Sequence, residues 1–118
     1  MAVTADFQAF VKDQLEPIVD ITSGRFFGGA GLSADGVQFA MIMGNSLYFV
    51  VSNATRPKYE ARGSTCFSYT TKKGRVDVRK YFEVPAEFLE DPDRLLDLAH
   101  ESIDAARRAK RSVKKSTT

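Results

Sequence analysis

Hydrophobic and polar positions change their rhythm twice along this chain, from helical to alternating and back to helical. Phe7, Phe10, Val11, Gln14 and Leu15 recur at three-to-four spacing and so share one helix face, with Thr4 placed to cap the helix and Pro17 to end it. From Ile21 the period shortens. Asp35-Gly36, Gly44-Asn45 and Lys73-Gly74 are three separate turn signals, each set between two candidate strands. Between the first two, Val37, Phe39 and Met41 alternate with Gln38, Ala40 and Ile42, and the apolar run LYFVV follows the second. The pattern predicts neighbouring antiparallel strands.

NATRPKYEARG interrupts the alternation and predicts a short helix, opened by Asn53 or Thr55, with Pro57 in its first turn and Gly63 at its close. CFSYTTK and RVDVRKYFEV then read as one more hairpin, left at Pro85. Asp91 caps a last helix with Pro92 in its first position. Leu95, Leu96, Ala99, Ile103 and Ala106 form its buried stripe, while Arg94, Asp97, Glu101 and Asp104 face water. Beyond Ala109 the stripe ends. Hairpins framed by helices, without strict strand-helix alternation, predict an α+β fold: two layers, an antiparallel sheet with an N-terminal helix, a short middle helix and a long C-terminal helix.

Composition narrows the class. With 118 residues, 43% hydrophobic and 27% charged, the chain has the size and apolar content of one globular domain. No apolar run reaches the ~18 residues of a membrane span, and the first residues lack a basic segment followed by an apolar one, which predicts a cytoplasmic protein with no membrane partner. A single cysteine, Cys66, excludes an internal disulfide, and a single histidine, His100, argues against structural zinc. The net charge of +2 hides an uneven distribution. Arg107, Arg108, Lys110, Arg111, Lys114 and Lys115 fall in an acid-free stretch, whereas residues 1–104 carry a net charge of −4. The division expected is a folded domain at 1–105 and a basic tail at 106–118, frayed or disordered.

The densest local signal is RFFGGAG, residues 25–31. A phosphate loop needs GK followed by Ser or Thr, and a dinucleotide fingerprint needs a helix opening on its last glycine. Here an alternating strand follows, so Gly28, Gly29 and Gly31 are expected to permit positive φ or a close backbone approach at a bulge or sharp bend, with Phe26 and Phe27 anchoring it from opposite faces. Arg25 beside them is expected to satisfy nearby carbonyls or pair with an acid such as Asp35; a contact to a partner is the alternative.

These residues carry a family resemblance. RFFGGAGL, then DGVQFAMI from Asp35, Leu47-Tyr48-Phe49, Phe67 with Tyr69, Tyr81-Phe82-Glu83-Val84-Pro85, and a leucine-bearing last helix with an arginine-rich end resemble the N-terminal domain of TfoX/Sxy-type proteins, over about Asp6 to Arg111. Full-length regulators of this kind carry a second, helical domain. The resemblance implies a secretion-chaperone-like fold that often pairs, a regulatory role linked to bacterial competence and transcription, and no enzymatic activity or cofactor.

Other residues offer chemistry less well. Cys66, His100 and Asp104 contain the members of a thiol triad without its motif, and Cys66 at a strand start reads more simply as a small hydrophobe. Glu87, Glu90, Asp91 and Asp93 lack the spacing of a calcium loop and suit the start of the last helix, so no metal site is expected. Tyr48, Tyr69 and Tyr81 read as half-buried sheet residues. The expectation is a regulatory protein-interaction module, a homodimer with a further protein partner; the alternative is weak, non-specific nucleic-acid binding through the six tail cations.

Overall fold

The computed structural model describes residues 5–18, 21–26 and 29–116, with backbone alone at positions 5, 26 and 110–116. Its elements are α1 (Ala5–Gln14), β1 (Ile21–Phe26), β2 (Gly29–Ala34), β3 (Val37–Met43), β4 (Ser46–Val50), α2 (Arg56–Glu60), β5 (Cys66–Thr71), β6 (Gly74–Glu83), α3 (Ala86–Leu89) and α4 (Pro92–Ser116). The strands form one six-stranded sheet in the order β1-β2-β3-β4-β6-β5, every pairing antiparallel. The fold is α+β, as the pattern predicts. Thr4 lies outside the described residues.

The turns follow from their glycines. Asp35 and Gly36 both take positive φ, 53° and 80°, the conformation of a type I′ hairpin that Asp-Gly favours. Gly44 alone is positive in the next turn, at 61°. In the last hairpin Thr71 pairs with Gly74, so the loop is Lys72-Lys73 and falls one residue before the predicted Lys73-Gly74. Gly74 supplies a φ of 121° beside the loop, and the Thr71 hydroxyl accepts from the Lys73 amide at 3.2 Å.

Thr55 precedes α2, Pro57 stands in its first turn, and Gly63 at φ 80° closes it, with the Gly63 and Ser64 amides donating to the carbonyls of Glu60 and Tyr59. Asp91 caps α4 by accepting from the Arg94 amide at 3.3 Å. The short α3, entered from Pro85, is an element the periodicity does not reveal, because four residues are too few to display a period.

Helices cover one side of the sheet. Ala40 lies opposite Phe49, Ile42 opposite Leu47, and Phe49 opposite Phe82, so these residues share a face. The Tyr59 ring of α2 sits 6.2 Å from that of Phe82, and α4 packs across β3 and β4. Leu95, Ala99, Ile103 and Ala106 are buried as expected, joined by Leu98 and Ser102.

Strict alternation in β3 fails at one residue. Leu32 is opposite Ala40 but Ser33 is opposite Gln38, which leaves Phe39 as an extra residue, a β-bulge. The Phe39 ring lies 6.1 Å from Phe49 on the helix side, and Gln38 moves to the opposite side with Met41. Val37, Phe39 and Met41 therefore do not share a face, as a plain period of two requires. Ser102, 1% exposed, donates its hydroxyl to the Phe39 carbonyl at 2.6 Å, which ties α4 to the bulge.

The boundary expected at 105/106 does not coincide with the end of an element. Ala105 and Ala106 are both buried, and the α4 backbone continues to Ser116, in keeping with the good helix propensities of Ala, Lys and Arg.

Candidate functional site

The RFFGGAG segment lies at one margin of the sheet. Arg25 is exposed in β1 opposite Ala30, and Phe26 is opposite Gly29 where β1 and β2 join. Phe27, Gly28 and the Phe26 side chain lie outside the described residues, and with them the anchoring expected of the two phenylalanines. Neither Gly29 nor Gly31 takes positive φ; Gly29 is required for close approach to the β3 backbone, whereas Gly31 faces only the movable end of the Gln38 side chain. A Cβ at Gly29 would collide with the Ile42 carbonyl oxygen and come within 2.6 Å of Met43 Sδ, and one at Gly31 would come within 2.7 Å of Gln38 Oε1.

The pairing of Arg25 with Asp35 does not form. The two residues lie at opposite ends of β2, because Ile21 rather than Arg25 is opposite Ala34. Asp35 instead faces Arg107, with 3.7 Å between carboxylate and guanidinium. Arg108 pairs with Asp104 at 3.1 Å. Two of the six candidate nucleic-acid cations thus face acids of the folded domain, while the side chains of Lys110, Arg111, Lys114 and Lys115 lie outside the described residues.

β1 is an edge strand. Among the described residues no strand hydrogen-bonds to its outer side, and Thr22, Ser23, Gly24 and Arg25 are exposed. Against it opens a cleft of about 340 Å³ lined by Leu15, Ile18 and Ile21, with Lys12, Glu16 and Ser23 at its rim. Edge backbone beside an apolar cleft is the arrangement that accepts an added strand and one of its side chains.

The helix-free face of the sheet carries a second surface. The Tyr48 ring meets Phe67 edge-on at 5.4 Å, and Phe67 lies 6.1 Å from Tyr69. Gln38, brought to this face by the bulge, donates from Nε2 to the Tyr81 hydroxyl at 3.0 Å, and Lys80 Nζ stands 5.6 Å from the Tyr81 ring centre. With Met41 and Val78, these side chains other than Tyr48 line a groove of about 460 Å³. Burial raises the pKa of Tyr48, with Glu83 adding to the effect, and burial also raises that of Tyr81, so both rings are neutral acceptors or donors at physiological pH. Of the three tyrosines expected to be half-buried in the sheet, Tyr48 is, Tyr81 is buried at 4%, and Tyr69 is exposed at 39%.

Of the side chains named for nucleophilic or metal chemistry, Asp104, Glu87 and Asp91 are engaged elsewhere. Cys66 is partly buried at the start of β5, His100 is exposed on α4, and the Asp104 carboxylate is taken by Arg108. Glu87 pairs with Arg62 at 2.9 Å, and Asp91 is the α4 cap. No group of three or more metal-ligating side chains occurs among the described residues, and no described helix is long and apolar enough to cross a membrane.

Sequence reasoning missed both surfaces as sites. The edge position of β1 depends on strand order, and the aromatic groove depends on the register of β5 and β6, neither of which a local pattern contains. Among curated proteins, none matches the chain. The family model of the TfoX N-terminal domain matches residues 13–106, nearly its whole length. With the RFFGGAGL block, the Asp-Gly hairpin after it and the buried stripe of the closing helix, Leu95 to Ala106, inside the matched span, the chain belongs to the TfoX N-terminal domain family.

Proposed function

We propose that this protein is a non-enzymatic regulatory module that works by binding other proteins, first a second copy of itself, in a cytoplasmic role linked to transcription or competence. The observation that carries the reading is the open β1 edge beside its apolar cleft. An edge strand of this kind gains backbone hydrogen bonds when a partner strand is added, and a cleft selects one side chain of that strand. Two copies joined antiparallel through β1 form an isologous dimer with a continuous sheet, and a regulatory partner presenting an extended segment uses the same edge. Family membership supports the regulatory part of the reading.

Sedimentation at micromolar concentration tests it. The expected result is a dimer for the native chain and a monomer for the double variant Thr22→Lys/Gly24→Lys, because antiparallel β1 pairing brings like charges opposite one another. Both positions are exposed, and no atom lies within 4 Å of a Cβ at Gly24, so the variant is expected to fold, which its melting midpoint checks. A native monomer throughout that range, or a dimer that survives the two lysines, overturns the proposal.

A further inference from the structure

β6 is ten residues long, yet it pairs with β4 only through Tyr81, Phe82 and Glu83. From Gly74 to Val78 it pairs with β5 alone and extends past β4 as a two-stranded ribbon, while the Lys80 carbonyl still accepts from the Val51 amide at 2.8 Å just beyond β4. The register explains how one face of this ribbon joins the aromatic groove. Cys66 is opposite Phe82, but Phe67 is opposite Val78, so residues 79–81 of β6 have no counterparts in β5. That irregularity sets Val78 and Tyr81 on the same side, although an odd number of steps separates them. Phe67, Tyr69, Val76 and Val78 follow on one face, and Tyr69 and Val76 are two of the large hydrophobic residues left exposed, at 39% and 37%.

The ribbon is also the basic part of the folded domain. Lys72, Lys73, Arg75, Arg79 and Lys80 stand against one acid, Asp77, which Arg75 holds at 2.9 Å. Among the described residues no carboxylate lies within ion-pair distance of the other four cations. The remainder of the domain is acidic, so this surface is electrostatically distinct from its surroundings.

An exposed tyrosine beside a half-buried phenylalanine on a sheet, flanked by unpaired cations, suits a ligand with flat faces and a negative backbone. We propose that the aromatic face of the β5–β6 ribbon binds single-stranded nucleic acid, bases stacking on Tyr69 and Phe67 and phosphates meeting Lys80 at the groove and Lys72 and Lys73 at the ribbon tip. A duplex hides the base faces that these rings would contact, and an acidic peptide would satisfy the lysines while offering the Phe67–Tyr69 pair nothing flat to stack on. The site is separate from the β1 edge, which lies at the opposite end of the strand order. The two proposals therefore stand or fall independently.

The test is fluorescence anisotropy of the full chain with a labelled oligodeoxythymidylate of about 15 nucleotides, long enough to cover a site of this class. Three phosphate-binding cations at about 0.7 each give a slope of log affinity against log salt no steeper than about −2, or roughly a 20-fold loss between ~50 and ~200 mM. Tyr69→Ala is expected to weaken binding about five- to a hundredfold, Tyr69→Phe to retain it, and Lys80→Gln to weaken it and flatten the salt slope. The chain has four tyrosines and no tryptophan, so stacking on Tyr69 is expected to quench its intrinsic fluorescence, and Tyr69→Phe to remove that quench while binding persists. The melting midpoint of Tyr69→Phe confirms that the ribbon is intact. No binding at 50 mM salt overturns the proposal, as does binding that Arg108→Gln weakens more than Tyr69→Ala, or a preference for duplex that Tyr69→Ala leaves unchanged.

Discussion

Adding one methyl group to Gly29 tests the close approach of β2 to β3 directly. In Gly29→Ala the new carbon falls on the Ile42 carbonyl oxygen and 2.6 Å from Met43 Sδ. The methionine can swing aside. The carbonyl cannot, because Ile42 is held between Ala30 on one side and Leu47 on the other. Overpacking of this kind costs about 1–3 kcal/mol, and removing a flexible glycine from a strand returns about 0.5–1 kcal/mol. The net expectation is a loss of about 1–2 kcal/mol, a fall in melting midpoint of roughly 4–8 °C for a chain of this length. Gly24→Ala is the control, since nothing lies within 4 Å of a Cβ there and the substitution should be neutral or stabilising by up to about 1 kcal/mol. Thermal and urea unfolding of both variants measure the contrast. Gly29→Val should lose at least as much as Gly29→Ala. Equal midpoints for Gly29→Ala and Gly24→Ala would refute the steric argument.

Ser102→Ala removes the donor to the Phe39 carbonyl and leaves that oxygen buried at the bulge, so urea unfolding should show a loss of about 1–3 kcal/mol; an unchanged midpoint would mean the bulge is held by packing alone. Alkaline pH should destabilise the fold through its tyrosines. Burial raises the pKa of Tyr59, with the Glu101 charge adding to it, and burial likewise raises Tyr48 and Tyr81 above the ordinary value of 10.0. The folded state keeps these protons longer than the unfolded one, so their stabilising contribution is intact below about pH 10 and is lost as pH rises through the raised values. Urea midpoints followed together with phenolate absorbance from pH 8 upward check this; a flat stability profile above pH 10 would contradict it.

By itself the sequence determined the elements whose causes are local. Asp35-Gly36 requires a tight reversal because two successive positive φ angles are cheapest for that pair, and the spacing of Leu95, Ala99, Ile103 and Ala106 allows only a helix with one buried face. It also carried the family, through the RFFGGAGL block. What it could not contain were quantities set by elements distant in the chain. The bulge at Phe39 arises because β3 must satisfy β2, β4 and Ser102 of α4 together, and it alone moves Gln38 across the sheet to Tyr81. The exposed edge of β1, the meeting of Asp35 with Arg107, and the skipped residues that align Tyr81 with Val78 likewise depend on strand order and register. Close packing decides these, since a residue's side of a sheet is settled by the partner strand rather than by its own neighbours.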